Sequence, residues 1–245
     1  MSAEPRAWEG VLAHIEAGLV EGDLHPGDHL PAERTLAAEL GVARSSVREA
    51  IRVLEAMGLV RTQTGSGPTA GAVIVALPVG GMQALMRLQV AASGFPVADV
   101  VSTRLILETA VAAELAERAE AVDLESAEHL LDAMDDVSLA REEFLALDAQ
   151  FHLQLAEESG NVVVAAMMAG LRTSIESYVL AAASGLTDWD GMAARLRAEH
   201  RAVVAAIASG DASTARHRIH DHISGYYRDA ALTAPIREPH QEPSW

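Results

Sequence analysis

Leu40-Gly41-Val42-Ala43-Arg44-Ser45-Ser46-Val47-Arg48-Glu49-Ala50-Ile51-Arg52-Val53-Leu54 decides the fold of the first half of the chain. Gly41 ends one helix, because glycine tolerates the positive φ of a helix C-terminus. Val47, Ile51 and Leu54 recur at i, i+4, i+7 and define the buried side of a second helix, running from about Arg44 to Met57 and stopping at Gly58. Arg44, Ser45 and Arg48 fall on the opposite face. A short helix, a glycine turn and an arginine-bearing helix form a helix-turn-helix pattern, whose second helix enters the DNA major groove by its N-terminal half. Arginine suits that position because its planar fork can bond guanine O6 and N7 together. The competing explanation is a solvated face with intrahelical partners, such as Arg48 with Glu55.

Pro31 sits near the start of the short helix that ends at Leu40, and Arg34 opens it, placed for a phosphate contact. Before it, Gly22 to Asp28 reads as a loop, and Trp8, Val11, Leu12, Ile15 and Leu19 form the stripe of a first helix. Beyond it, Leu59–Thr64 and Ala72–Val75 read as two strands around Gly65-Ser66-Gly67-Pro68. Gly65 and Gly67 would let the tip of this hairpin approach phosphate or the minor groove closely, as a wing does. Leu77-Pro78-Val79-Gly80-Gly81 reads as a linker.

The remaining residues read as all helical, with helices near 82–93, 97–120, 123–136, 139–158, 161–183, 189–208 and 211–231. The expected organisation is a DNA-binding domain over 1–76, a linker over 77–81, a helical metal- and effector-binding domain over 82–232 and a disordered tail over 233–245, where Pro235, Pro239 and Pro243 cluster. A length of 245 residues agrees with two unequal domains. Half the residues are apolar but only 4% are aromatic, so alanine, leucine and valine carry the core and favour packed helices over a β-sandwich.

Charge sharpens the picture. The net charge is −17, and every one of the 18 basic residues is arginine. Such a chain repels nucleic acid and anionic membrane as a whole. Residues 1–76 hold six arginines and ten acids, a net −4, which leaves −13 on the rest; within 34–67 five arginines face three acids, a local +2. There are no cysteines, which excludes thiolate metal sites and cysteine nucleophiles, so a metal must be held by histidine and carboxylate. No apolar run reaches the ~18 residues of a membrane span, and residues 1–9 carry acids where a signal peptide would be basic and apolar. A cytoplasmic protein with no membrane partner is expected.

The second half holds the ligands for such a metal. Asp148 and His152 are one turn apart on a helix whose core stripe is Phe144, Leu145, Phe151 and Leu155. His200 lies in the stripe Leu196, Val203, Ile207, and His222 beside Ile219, Ile223 and Tyr226. One aspartate and three histidines on inward faces of three helices make an oxygen-and-nitrogen set with positions left open, suited to zinc first and to nickel, manganese or iron(II) next. His129, His217 and His220 fall on outward faces.

The first half resembles the winged-helix domain of the GntR family of bacterial transcription regulators, through Gly27-Asp28-His29-Leu30-Pro31-Ala32-Glu33-Arg34-Thr35-Leu36-Ala37, the stretch Leu40 to Ala50, and Leu54-Glu55-Ala56-Met57-Gly58-Leu59-Val60. The resemblance implies that Arg34, Arg44 and Arg48 contact DNA, assisted by Ser45, Ser46 and the Gly65–Gly67 tip. Ala43 departs from the serine or threonine usual before that helix; Ser46 and Glu49 fit a capping box one turn later. The second half resembles the C-terminal helical domain of FadR-type GntR regulators, through Arg104-x-x-x-Glu108, Asp148-x-x-Phe151-His152, Ser159-Gly160-Asn161, Glu199-His200 and Ala215-x-x-x-Ile219-x-x-His222. That resemblance implies that Asp148, His152, His200 and His222 hold the ion and that a small organic acid is the effector. Arg104 and Asn161 are its expected contacts, with Arg104 equally open to an internal ion pair with Glu108.

The combined expectation is a homodimeric, metal-containing transcription regulator, a repressor on a palindromic operator, answering to a small carboxylate. The alternative is a metal-dependent hydrolase built on the same histidines and aspartate.

Overall fold

The computed structural model describes residues 6–63, 71–75, 79–93, 95–118, 122–184 and 188–229. Among them are ten helices and a two-stranded antiparallel sheet, the mainly helical fold with a small hairpin that the sequence implies. The chain divides into two units, Met1–Leu85 and Met86–Trp245.

In the first unit, α1 (Ala7–Glu21), α2 (Glu33–Leu40) and α3 (Arg44–Ala56) precede β1 (Val60–Gln63) and β2 (Gly71–Ile74). The stripe of α3 is buried as Val47, Ala50, Ile51 and Leu54, against Val11 and Ile15 of α1 and Leu36 and Ala37 of α2. Gly41 closes α2 at φ +65, where a side chain would be strained, and so turns the chain into α3. Ala43 stands at the N-cap of α3 without a side-chain bond. The Ser46 N–H donates to the Ala43 carbonyl at 3.0 Å, so Ser46 lies within the first turn and does not begin the helix through a box with Glu49. Val60 pairs with Ile74 and Gln63 with Gly71, and His29 adds a bridge to Val73. Gly65 and Gly67, the expected wing tip, lie outside the described residues, as does everything after Asp229, the expected tail included.

The linker expectation needs correcting. Helix α4 (Val79–Ser93) begins inside 77–81. Glycine at Gly80 and Gly81 suggested a loop, but a Cβ on Gly81 would collide with the Met57 carbonyl at the end of α3. Glycine is there because two backbones meet.

The second unit contains the later part of α4 with α5 (Val97–Glu117), α6 (Glu125–Met134), α7 (Arg141–Glu158), α8 (Val162–Ser184), α9 (Trp189–Ala208) and α10 (Ala212–Asp229). Helix α10 lies along α5 and α9, and α7 along α8 and α6. Phe144, Phe151, Leu115, Met134, Leu196, Ile207, Ile219 and Ile223 are fully buried and form its centre. No described helix is long and apolar enough to cross a membrane.

Candidate metal centre and nucleic-acid interface

Asp148 and His152 project from α7, His200 from α9 and His222 from α10, and all four are buried with one ligand atom each lying within 4.8 Å of the others. The His222 Nε2 is 3.2 Å from His152 Nε2 and 3.1 Å from His200 Nε2. Asp148 meets His200 Nε2 at 3.1 Å and His152 Nε2 at 4.0 Å. Donors bonded to one ion at about 2.0–2.2 Å lie roughly 3–4 Å apart, so this spacing fits a divalent metal. The chemistry fits as well. Three imidazole nitrogens and a carboxylate converge on one spot in an apolar core, where the carboxylate charge is costly unless a cation balances it.

The protonation states agree with that use. Burial pushes the His200 and His222 imidazoles below their ordinary value, and in His222 the neighbouring histidines add to the effect. Burial alone would raise Asp148, but its hydrogen bond to His200 and the three nearby imidazoles outweigh this and hold it below the usual carboxylate range. Neutral imidazole and ionised carboxylate are the forms that bind metal.

Two outer carboxylates aim the rings. Glu108 Oε2 takes a short hydrogen bond from His152 Nδ1, and Glu199 Oε2 accepts from His222 Nδ1 at 2.8 Å. Each bond puts the proton on Nδ1 and leaves the Nε2 lone pair facing the centre. Among the described residues the buried His200 Nδ1 has no hydrogen-bond partner. Neither outer role follows from the sequence pattern, although Glu108 is one turn from Arg104 and Glu199 adjoins His200. They reach across 44 and 23 positions, separations that no helical period marks.

Arg104 is buried on α5 and donates from Nε to Glu108 Oε1 at 2.7 Å and from Nη1 to the Tyr227 hydroxyl at 3.3 Å. Burial would raise the Glu108 carboxyl, but Arg104 and His152 bring it down to about 2. The ion-pair alternative for Arg104 is therefore formed. The same guanidinium also borders two cavities of about 10 Å³ each, one shared with Asp148, His222, Tyr226 and Tyr227, the other with His152, Met168 and Ile175. Each has room for about one water. Asn161, the other expected effector contact, does something else. It is exposed, and its Oδ1 accepts from the Val163 and Val164 N–H groups at 3.1 and 3.2 Å as the cap of α8. It lines neither cavity. His129, His217 and His220 are exposed.

In the first unit, Arg44, Ser45 and Arg48 are exposed along the first turns of α3, Ser46 is half-buried, and Arg34 is exposed on α2. The partner of Arg48 is not Glu55. Glu33 of α2 takes Arg48 Nε at 3.2 Å and Nη2 at 2.8 Å, with Arg44 at 3.8 Å from the same carboxylate. Glu55 instead accepts from the Thr62 N–H at 3.0 Å and from its hydroxyl. Intrahelical spacing suggested Glu55; the turn at Gly41 brings Glu33 closer.

Comparison with known proteins agrees with both halves. Residues 8–69 match the family of bacterial regulatory proteins called the gntR family, and residues 99–225 match the FCD domain. The chain is 30% identical over 228 residues to the putative L-lactate dehydrogenase operon regulatory protein of Escherichia coli K12, covering 89% of this chain and 84% of that protein. It is 29% identical over 220 residues to the HTH-type transcriptional regulator LutR of Bacillus subtilis, covering 85% and 97%. Among solved structures, Streptococcus agalactiae GntR superposes with a TM-score of 0.59 at 25% identity, over 91% of this chain and 99% of that one. These relatives are regulators, not enzymes, so the hydrolase alternative has no support. A gntR-type helix-turn-helix followed by an FCD domain makes the chain a member of the GntR family, a ligand-responsive transcription regulator of the FadR type.

Proposed function

We propose that the chain is a metal-containing repressor whose affinity for a palindromic operator is set by a small carboxylate. It acts as a homodimer in the cytoplasm, with residues 1–76 binding DNA and the helical domain holding metal and acid. The observation that carries this reading is the convergence of Asp148, His152, His200 and His222 beside a buried arginine. When bound, the ion supplies positive charge and open positions to which a carboxylate can add. Zinc suits the donor set, with nickel, manganese or iron(II) as substitutes.

The residues around the ion do the rest. Glu108 and Glu199 keep two Nε2 lone pairs aimed inward. Arg104 uses two of its donors on Glu108 and Tyr227 and has others for a carboxylate in the adjoining cavity. On the DNA side, Arg44 and Arg48 suit base edges, with Ser45 and Ser46 beside them; Arg34 suits phosphate, and the Gly65–Gly67 tip suits the wing contact. Two copies on a palindrome lengthen the sequence read.

One relative is named for an L-lactate dehydrogenase operon, which makes L-lactate the first acid to try. The test is a mobility shift on the DNA upstream of the protein's own gene, with zinc-loaded and chelator-stripped protein and a series of organic acids. Retarded DNA that one acid releases, in wild type but not in Arg104→Ala, supports the reading. A shift that no acid changes, or a purified protein that binds no metal, overturns the effector or the metal part respectively.

A further inference from the structure

We infer that Glu108 is a positioning residue for two sites at once, joining the metal ligand His152 to the guanidinium of Arg104 so that metal and acid bind cooperatively. The inference rests on the metal-and-acid reading above and adds the residue through which the two ligands communicate. Its basis is a single buried carboxylate with one oxygen on each partner: Oε2 on His152 Nδ1, Oε1 on Arg104 Nε at 2.7 Å. All three side chains are buried, so water competes little for these contacts.

The coupling follows from what each ligand does to the shared carboxylate. Drawing electron density from His152 makes its Nδ1–H a stronger donor, and pulls Glu108 toward the ring. That loosens its hold on Arg104, whose donors turn to an incoming carboxylate. In the other direction, an acid that takes Arg104 leaves the Glu108 charge to His152 alone and makes that imidazole a better ligand. The two effects are one interaction free energy and must be equal.

Glu199 provides the internal control. It holds His222 in the same manner, but its other partner is Arg195, at 3.3 Å on α9, and it does not touch Arg104. Loss of an outer carboxylate lowers metal affinity by about 10–100-fold. Glu108→Gln and Glu199→Gln should both do this in a zinc competition against a chelator. At saturating zinc they should part: read by thermal shift, Glu108→Gln should weaken the L-lactate midpoint several-fold more than Glu199→Gln does.

A second measurement needs no acid. Replacing Arg104 by Gln should change zinc affinity in the wild type and change it at least threefold less when Glu108 is already Gln, because the path between them is gone. The double variant removes the buried pair together and avoids an unpaired buried charge, so it folds even where the single Glu108→Gln does not; Glu108→Asp, which keeps the charge but not the span, then replaces that single variant. Equal L-lactate midpoints for the two Gln variants, or additive zinc effects of Arg104 and Glu108, overturn the inference. If wild type ignores L-lactate altogether, that acid fails as the effector, and the zinc cycle still decides whether Glu108 joins the two groups.

Discussion

At the scale of single residues, partners matter more than positions. Arg48 is held by Glu33 on the preceding helix through Nε and Nη2, so its fork must leave that exposed carboxylate before it can grip a base edge. Arg48→Ala and Arg44→Ala should each weaken operator binding by about 1–3 kcal/mol per lost base contact. The melting temperature should hardly move, because both side chains are exposed. Arg34→Ala should weaken all sequences alike and lower the salt dependence of binding. Titrating operator and scrambled DNA at two salt concentrations separates these outcomes; an unshifted Arg48→Ala titration would remove the recognition-helix assignment. The three histidines of α10 make a second residue-level contrast. His222 is buried, while His217 and His220 are exposed. His222→Ala should lose bound metal and lower the melting temperature, since Asp148 is left a buried charge with less to face. His217→Ala and His220→Ala should each change stability by less than about 0.5 kcal/mol. Metal analysis and thermal melts of the three variants test this, and metal loss on replacing His220 would contradict it.

At the scale of elements, the sequence was most informative where one face of one helix carries the signal. The stripe of α3 and the inward phase of Asp148, His152, His200 and His222 are periodic facts, each residue buried as its phase requires, and the glycine that ends α2 follows from its positive φ. What periodicity does not encode is which elements meet. Glu33–Arg48, Glu108–His152 and Glu199–His222 join residues 15, 44 and 23 positions apart, and only the folded arrangement of helices selects them. The start of α4 was lost for a related reason: Gly80 and Gly81 look the same in a sequence, but only Gly81 touches Met57. Gly80 has open space where a Cβ would go. Gly80→Ala should therefore be neutral or stabilise by up to about 1 kcal/mol, as alanine does in a helix. Gly81→Ala should destabilise by more than about 1 kcal/mol, because the backbone it strikes cannot rotate away. Urea melts of both variants would show the opposite signs, and two equal results would mean the α3–α4 contact carries no weight.

At the scale of the whole molecule, acid should act through the buried cluster before it acts on the surface. The His200 and His222 imidazoles sit below their ordinary value in the folded chain. On acidification the unfolded chain takes up protons below about pH 6.5 while these buried rings do not, so the stability they contribute is present above that pH and falls below it. Asp148 and Glu108, held low when folded, add a further loss at lower pH. Net charge changes over the same range, so the useful quantity is a difference. In metal-free protein, the melting temperature of wild type minus that of His222→Gln should shrink between pH 7 and pH 5. A constant or growing difference would mean that His222 is protonated in the folded state.

The cavities beside Arg104 are each about 10 Å³, far smaller than any organic acid. An effector bound there has to wait for the side chains around it, Tyr226 and Tyr227 among them, to make room. Its arrival is then timed by the protein and not by collisions. In a stopped-flow experiment the observed rate would climb with acid concentration and level off at the opening rate, where an open cleft would give a straight line. A regulator built this way would admit acid no faster than these side chains move.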